Sequence, residues 1–280
     1  MKKAIFIDID GTLVDLSSEV PESASNAIKE ARKNGHQVFI CTGRSNPEIL
    51  PEIRAVGFDG IIGAGGAYIE YQNEVIFHKT LPKEEVLRLI DLFEQEKIGC
   101  YFETNDGLYS NRYCVPTMER NVTKGLPDIP EIKAKALKQM SWFTDLLKDV
   151  SKYELDYSKI NKICFLNDTY PYEKIEEDFG QDFELHRITI AQYGENSGEA
   201  GVKGCDKKAA VERMLKIIGL PKSSAVAFGD GDNDIAMFEA VALKIAMENG
   251  TDALKALADD ITATPENDGL AKAFKKHHLI

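Results

Sequence analysis

Apolar and polar positions follow two different periods along this chain. Ala24, Ala27, Ile28 and Ala31 recur every three or four residues, with Pro21 ahead of them and Gly35 behind, which predicts a helix between the two. Val86, Leu89, Ile90 and Phe93 repeat that spacing, as do Val211, Met214, Leu215 and Ile218 before Gly219. Between these stripes lie short, mostly apolar runs at 4–7, 37–41, 60–62, 224–228, 243–247 and 260–263. Too short for helices and lacking alternation, they read as strands buried on both faces. Strands of that kind in turn with amphipathic helices predict a doubly wound α/β fold, a parallel sheet with helices on either side.

The middle of the chain departs from that rhythm. Residues 82–186 combine helical stretches with strands, and hold the lone tryptophan, Trp142, and a proline-containing patch at Pro127 and Pro130. They read as a second, α+β domain inserted into the first, dividing the chain into 1–81, 82–186 and 187–280. Pro82 and the loop Tyr193–Gly198 lie near the two crossings.

Composition narrows the classes of function. A formal net charge of -12 argues against nucleic acid or an anionic membrane as partner, and any anionic substrate must be held by local positive charge. No segment has the apolar length to cross a bilayer, and Asp8 and Asp10 interrupt what would have to be a signal peptide's apolar region, so a cytoplasmic location is expected. Cys41, Cys100, Cys114, Cys164 and Cys205 are scattered without a C-x-x-C pair, as thiols in a reducing compartment would be.

The chemistry collects where three strands end. The first run stops on Asp8-Ile9-Asp10, followed by Gly11 and Thr12, and alternation points the two carboxylates the same way. Two anions in one small volume call for a cation or a shared proton. The second strand ends in Thr42-Gly43-Arg44, and the strand at 224–228 in Gly229-Asp230-Gly231-Asp232-Asn233-Asp234. In an open parallel sheet ligands bind beyond the carboxyl ends of the strands, so the three endings can meet. The aspartates at 230, 232 and 234 imitate an EF-hand opening, but Ile235 and Val241 stand where that loop needs Gly and Glu; magnesium suits the set better than calcium.

These four elements in order (Asp8 to Thr12, Thr42 to Arg44, a lysine opening a helix, and Gly229 to Asp234) resemble the motifs of the haloacid dehalogenase-like phosphatases. The long insertion after Thr42 resembles the Cof-type subfamily, IIB, which implies a Rossmann-like core with an inserted α+β cap of the C2B type. By that resemblance Asp8 is the nucleophile and Asp10 the general acid and base. Mg²⁺ is held by Asp8, Asp230 and Asp10, the last through its side chain or through the backbone of Ile9 and Asp10. Thr42, Gly43, Lys207 and Asn233 bind phosphate, while Thr12, Arg44 and Asp234 support them. Lys207 is chosen over Lys203, whose Lys-Gly pair falls one turn too early; Arg44 reaches the substrate or forms an ion pair, and Asp232 has no assigned role. Gly65-Gly66-Ala67 departs from the Asn-Gly-Ala that relatives commonly show. The expected substrate is a small phosphorylated metabolite, foremost a sugar phosphate, with specificity set by a cap that closes over the site. A phosphotransferase or phosphomutase would use the same residues, and a non-catalytic interaction module is the reading from another class. The oligomeric state is not legible.

Overall fold

A computed structural model describes residues 2–15, 19–188 and 193–280. The chain folds as two units, one of residues 1–78 and 205–280 and one of residues 79–204. The first crossing falls close to Pro82. The second lies well beyond the expected residue 186, because the last strand before it, at Gly198–Gly201, pairs within the inserted unit's own sheet.

In chain order the strands are β1 (Ala4–Ile7), β2 (Gln37–Cys41), β3 (Gly60–Gly63), β4 (Tyr68–Tyr71), β5 (Glu74–His78), β6 (Gly99–Thr104), β7 (Leu108–Ser110), β8 (Leu147–Asp149), β9 (Ile160–Leu166), β10 (Glu184–Arg187), β11 (Gly198–Gly201), β12 (Ala225–Gly229), β13 (Leu243–Met247) and β14 (Asp260–Thr262). The helices are α1 (Glu22–Lys33), α2 (Pro51–Arg54), α3 (Lys83–Glu96), α4 (Cys114–Thr123), α5 (Pro130–Thr144), α6 (Tyr172–Phe179), α7 (Lys207–Ile218), α8 (Ile235–Glu239), α9 (Asp252–Leu257) and α10 (Gly269–Lys276).

The larger unit holds an eight-stranded sheet in the order β14-β13-β12-β1-β2-β3-β4-β5, parallel from β14 to β3. Residues of β1 show why its strands read as apolar runs. Ile5 and Ile7 pack with α1 and α10, through Ala24, Ile28, Leu270 and Phe274, while Ala4 and Phe6 face Val211 and Met214 of α7. Both faces of the strand are therefore buried, and each fully covered side chain contributes about 1.5–3 kcal/mol. The antiparallel hairpin β4–β5 was not expected. Its turn, Gln72-Asn73, has both residues at positive φ (52° and 65°), as a two-residue hairpin turn requires, without the glycine that usually announces one.

The smaller unit is a six-stranded sheet in the order β10-β11-β9-β6-β7-β8, antiparallel apart from the β7–β8 pair. Val86, Leu89 and Phe93 are the buried positions of α3, and Phe93 meets Phe165 of β9 at 5.3 Å between ring centroids. Trp142 is largely exposed rather than central to a core.

Candidate active site

Parallel pairing of β12, β1 and β2 brings their carboxyl ends side by side. Asp8 follows β1 directly, and its backbone N–H still donates to Phe228 O of β12 (3.1 Å), so the carboxylate inherits the rigidity of the sheet. At the other side of the site, α7 begins at Lys207, and its N-cap Asp206 accepts a hydrogen bond from Ala209 N at 2.7 Å. Gly66, at φ 110°, makes room for this helix start: a Cβ there would lie 2.3 Å from Asp206 O.

Lys207 is buried and bridges two acids, with Nζ 2.7 Å from Asp8 Oδ1 and 2.6 Å from Asp234 Oδ1. Asp234 is the more heavily engaged of the two, since its Oδ2 also accepts from the backbone N–H groups of Asp230 (3.0 Å) and Gly231 (3.1 Å). Lys203 belongs to the other unit, where its carbonyl accepts from Lys79 Nζ. Asp230 is held at both oxygens: Thr12 Oγ1 donates to Oδ1 at 3.0 Å, and Asn249 Nδ2 to Oδ2 at 3.3 Å. Gly11, at φ 75°, permits this approach, because a Cβ there would stand 2.2 Å from Asp230 Oδ2.

Asp10 lies apart from the other acids. Its carboxylate goes to Arg44, with Oδ2 2.9 Å from Nε and Oδ1 2.5 Å from Nη2, and the acidic cluster suited to a metal consists of Asp8, Asp230 and Asp234. A guanidinium fork matches a carboxylate at both oxygens, which explains why the side chain turns that way. Arg44 thus forms the ion pair that was one of the two expectations for it. Thr42 is buried, with its Oγ1 accepting from Arg44 N at 3.1 Å, and the Asn233 amide lies beside Gly43. Asp232 accepts from Thr251 Oγ1 at 2.6 Å. Asn249 and Thr251 escaped the sequence reading. Both follow β13, a fourth strand whose carboxyl end could have been searched on the same rule, and Asn249 also donates to Gly11 O at 2.9 Å.

Burial pushes the Asp8 carboxyl well above the usual range, against the pull of Lys207 and with the help of Asp234. Burial likewise raises Asp230 to about 6, with Thr12 opposing and Asp234 adding to the shift. Burial alone would lower Lys207, but Asp234 and Asp8 hold it above the ordinary lysine value, so it stays protonated. Four carboxylates, those of Asp8, Asp10, Asp230 and Asp234, thus share two cations, Lys207 and Arg44. The surplus of negative charge and the all-oxygen donor set fit a hard divalent cation. Each of Asp8, Asp230 and Asp234 offers an oxygen within 4.8 Å of the others'.

Comparison with known proteins gives this geometry its context. The family model for haloacid dehalogenase-like hydrolases matches residues 5–274. The chain is 27% identical over 291 residues to 5-amino-6-(5-phospho-D-ribitylamino)uracil phosphatase YitU of Bacillus subtilis, covering 99% of this chain and 97% of that protein. It is 25% identical over 285 residues to pyridoxal phosphate phosphatase YbhA of Escherichia coli, covering 99% of each. Among solved structures, the subclass IIB sugar phosphatase BT4131 matches with a TM-score of 0.74 at 24% identity, over 100% of both chains, and shows the same fold. With a family model spanning nearly the whole chain, and core sheet and inserted sheet matching a solved fold, the chain belongs to the haloacid dehalogenase-like hydrolases and is a phosphatase acting on phosphomonoesters.

Proposed function

We propose that the enzyme is a magnesium-dependent phosphomonoesterase that works through an aspartyl-phosphate on Asp8, with small phosphorylated metabolites, foremost sugar phosphates, as substrates. The observation that carries this reading is the buried Lys207 bridging Asp8 and Asp234, with Asp230 fixed alongside. Asp8 attacks phosphorus, an Asp8 O–P bond forms, and the ester P–O bond breaks. Asp10 gives its proton to the departing oxygen, then takes one from the water that attacks the phosphoryl group. Phosphate leaves and the Asp8 carboxylate is regenerated. Lys207, the Thr42 hydroxyl, the Gly43 N–H and the Asn233 amide supply donors for the phosphoryl oxygens as negative charge gathers on them. Asp8 and Asp230 would hold the Mg²⁺, which when bound offsets the repulsion between nucleophile and phosphate. Asp234 serves chiefly to fix Lys207 and the loop amides.

Relatives that dephosphorylate a ribityl-pyrimidine and pyridoxal phosphate support a compact organic phosphate as the substrate class. Asp8→Asn should abolish turnover of p-nitrophenyl phosphate while melting like the parent. Wild-type protein quenched in acid during turnover should carry a fraction heavier by one phosphoryl group, absent from Asp8→Asn. Exhaustive chelation should stop the reaction and magnesium restore it. Wild-type rates in Asp8→Asn, or full activity under chelation, would overturn the scheme, and a panel of phosphorylated metabolites tests the substrate class.

A further inference from the structure

We propose that Arg44 is the positioning residue for Asp10. It fixes where that carboxylate sits, and so governs turnover of esters whose departing oxygen needs a proton. The proposal rests on the reading of Asp10 as general acid and base.

The two partners differ sharply in surroundings: the Asp10 side chain is 62% exposed and that of Arg44 only 9%. Left alone, an exposed aspartate moves among rotamers, and an acid that must meet one oxygen atom loses rate with every displaced conformer. Arg44 removes that freedom through its paired bonds to both oxygens of the Asp10 carboxylate; when Asp10 takes up the proton that it passes to the leaving group, one oxygen keeps its bond to the fork and the other presents the proton. The fork is itself held from behind, since Nη1 donates to Glu48 O at 2.8 Å. Glu48 is fixed in turn, its Oε2 accepting from Ser45 N (2.8 Å) and its own N–H donating to Ser45 O (3.0 Å). The arginine backbone is tied at both ends, its N–H to Thr42 Oγ1 and its carbonyl to Ala64 N at 2.8 Å. Rigidity therefore passes from β2 and its loop, through one guanidinium plane, to an otherwise exposed carboxylate. An exposed ion pair between two mobile chains contributes little, but here one partner is immobile. Lysine could supply the charge and not the plane, because an ammonium fixes one point rather than an orientation.

The test compares an aryl ester, p-nitrophenyl phosphate, whose leaving group departs without a proton, with an alkyl ester, glycerol 2-phosphate. Arg44→Lys should lower kcat on the alkyl ester on the order of tenfold or more beyond any loss on the aryl ester, with KM little changed, since acid catalysis supplies about 10²–10⁴-fold. Added to Asp10→Asn, it should cause little further loss, as two residues serving one function do. Guanidinium ion should partly restore alkyl turnover to Arg44→Ala. Asp10→Glu, at an exposed position that tolerates substitution, keeps the carboxyl but moves it past the fork. It should show the same alkyl-selective loss even if the arginine variants fail to fold. Equal losses on both esters, a raised KM with unchanged kcat, or normal alkyl turnover by Asp10→Glu would overturn the proposal. Absence of any alkyl–aryl difference in Asp10→Asn would instead overturn the role of Asp10 itself.

Discussion

Lys207 stands between Asp8 and Asp234 with almost no water around it, so removing it strands two buried carboxylates. Breaking such a cluster by deleting one partner costs about 3–5 kcal/mol of stability. Loss of the donor also removes about 2.7–4 kcal/mol from the transition state if Lys207 binds the phosphoryl group. Lys207→Ala should therefore fall in both melting temperature and kcat, whereas Lys203→Ala should change neither; steady-state kinetics beside thermal melts decide this. A reversal between the two lysines would mean that the wrong one has been placed in the chemistry.

The same residues set a pH dependence. Asp230, raised to about 6, and Asp8, also raised by burial, bind protons more readily folded than unfolded. In metal-free protein the Asp230 penalty is fully present above its folded value, is relieved as pH falls through about 6, and is gone below the unfolded carboxylate value, and Asp8 acts in the same direction. Magnesium competes with those protons. The stabilisation that magnesium confers should be small near pH 5 and widen as pH rises through about 6, read as the gap between melts with and without the ion. A gap that stays constant across that range would remove these acids from the metal site.

At the scale of elements, what was legible followed from periodicity. Strands buried on both faces, such as β1 and β12, show as apolar runs, and stripes such as Val211, Met214 and Leu215 show as helices. The acid pair after β1 and the Thr42 turn after β2 were legible because strand ends announce themselves. Direction of side chains was not. That Asp10 would turn to Arg44 depends on a guanidinium folded back from another strand, and that Asn249 would reach Asp230 depends on a crossover separating β12 from β13. Neither leaves a periodic trace. The hairpin β4–β5 was hidden because its turn, Gln72-Asn73, carries no glycine, and because Val75 and Ile76 are exposed while only Phe77 of β5 packs on the core, so its apolar run does not mark which face is inside. Gly66 was legible only as the middle of a segment whose departure from the family pattern falls at Gly65, yet it lets α7 approach. Gly66→Ala puts a side chain at a φ of 110° and against Asp206 O, so it should cost about 1–3 kcal/mol. It should also lower kcat by displacing Lys207. A variant with wild-type melting and kinetics would show that the helix start has room to give.

At the scale of the whole molecule, the proposed chemistry and the expected source of selectivity fall in two different units of the chain. Every site residue named above, from Asp8 and Asp10 to Lys207 and Asp234, belongs to the unit of residues 1–78 and 205–280. That unit's sheet draws its eight strands from within the unit, and the apolar clusters around Ile5 and Phe6, as far as the described residues go, use no residue of the inserted segment. Replacing residues 79–204 by a short linker should therefore leave a folded core that still turns over p-nitrophenyl phosphate, since the aryl ester needs only the nucleophile, the donors and the metal. Discrimination among larger esters is expected to come from the inserted unit, since the acids and donors of the core act on the phosphoryl group that all of these esters share. The excised protein, checked for cooperative melting, should process a panel of sugar phosphates at nearly uniform relative rates while the full chain ranks them. Should the folded core keep the full chain's ranking, selectivity belongs to the loops after β2, β3 and β12, and the inserted sheet must be given another purpose.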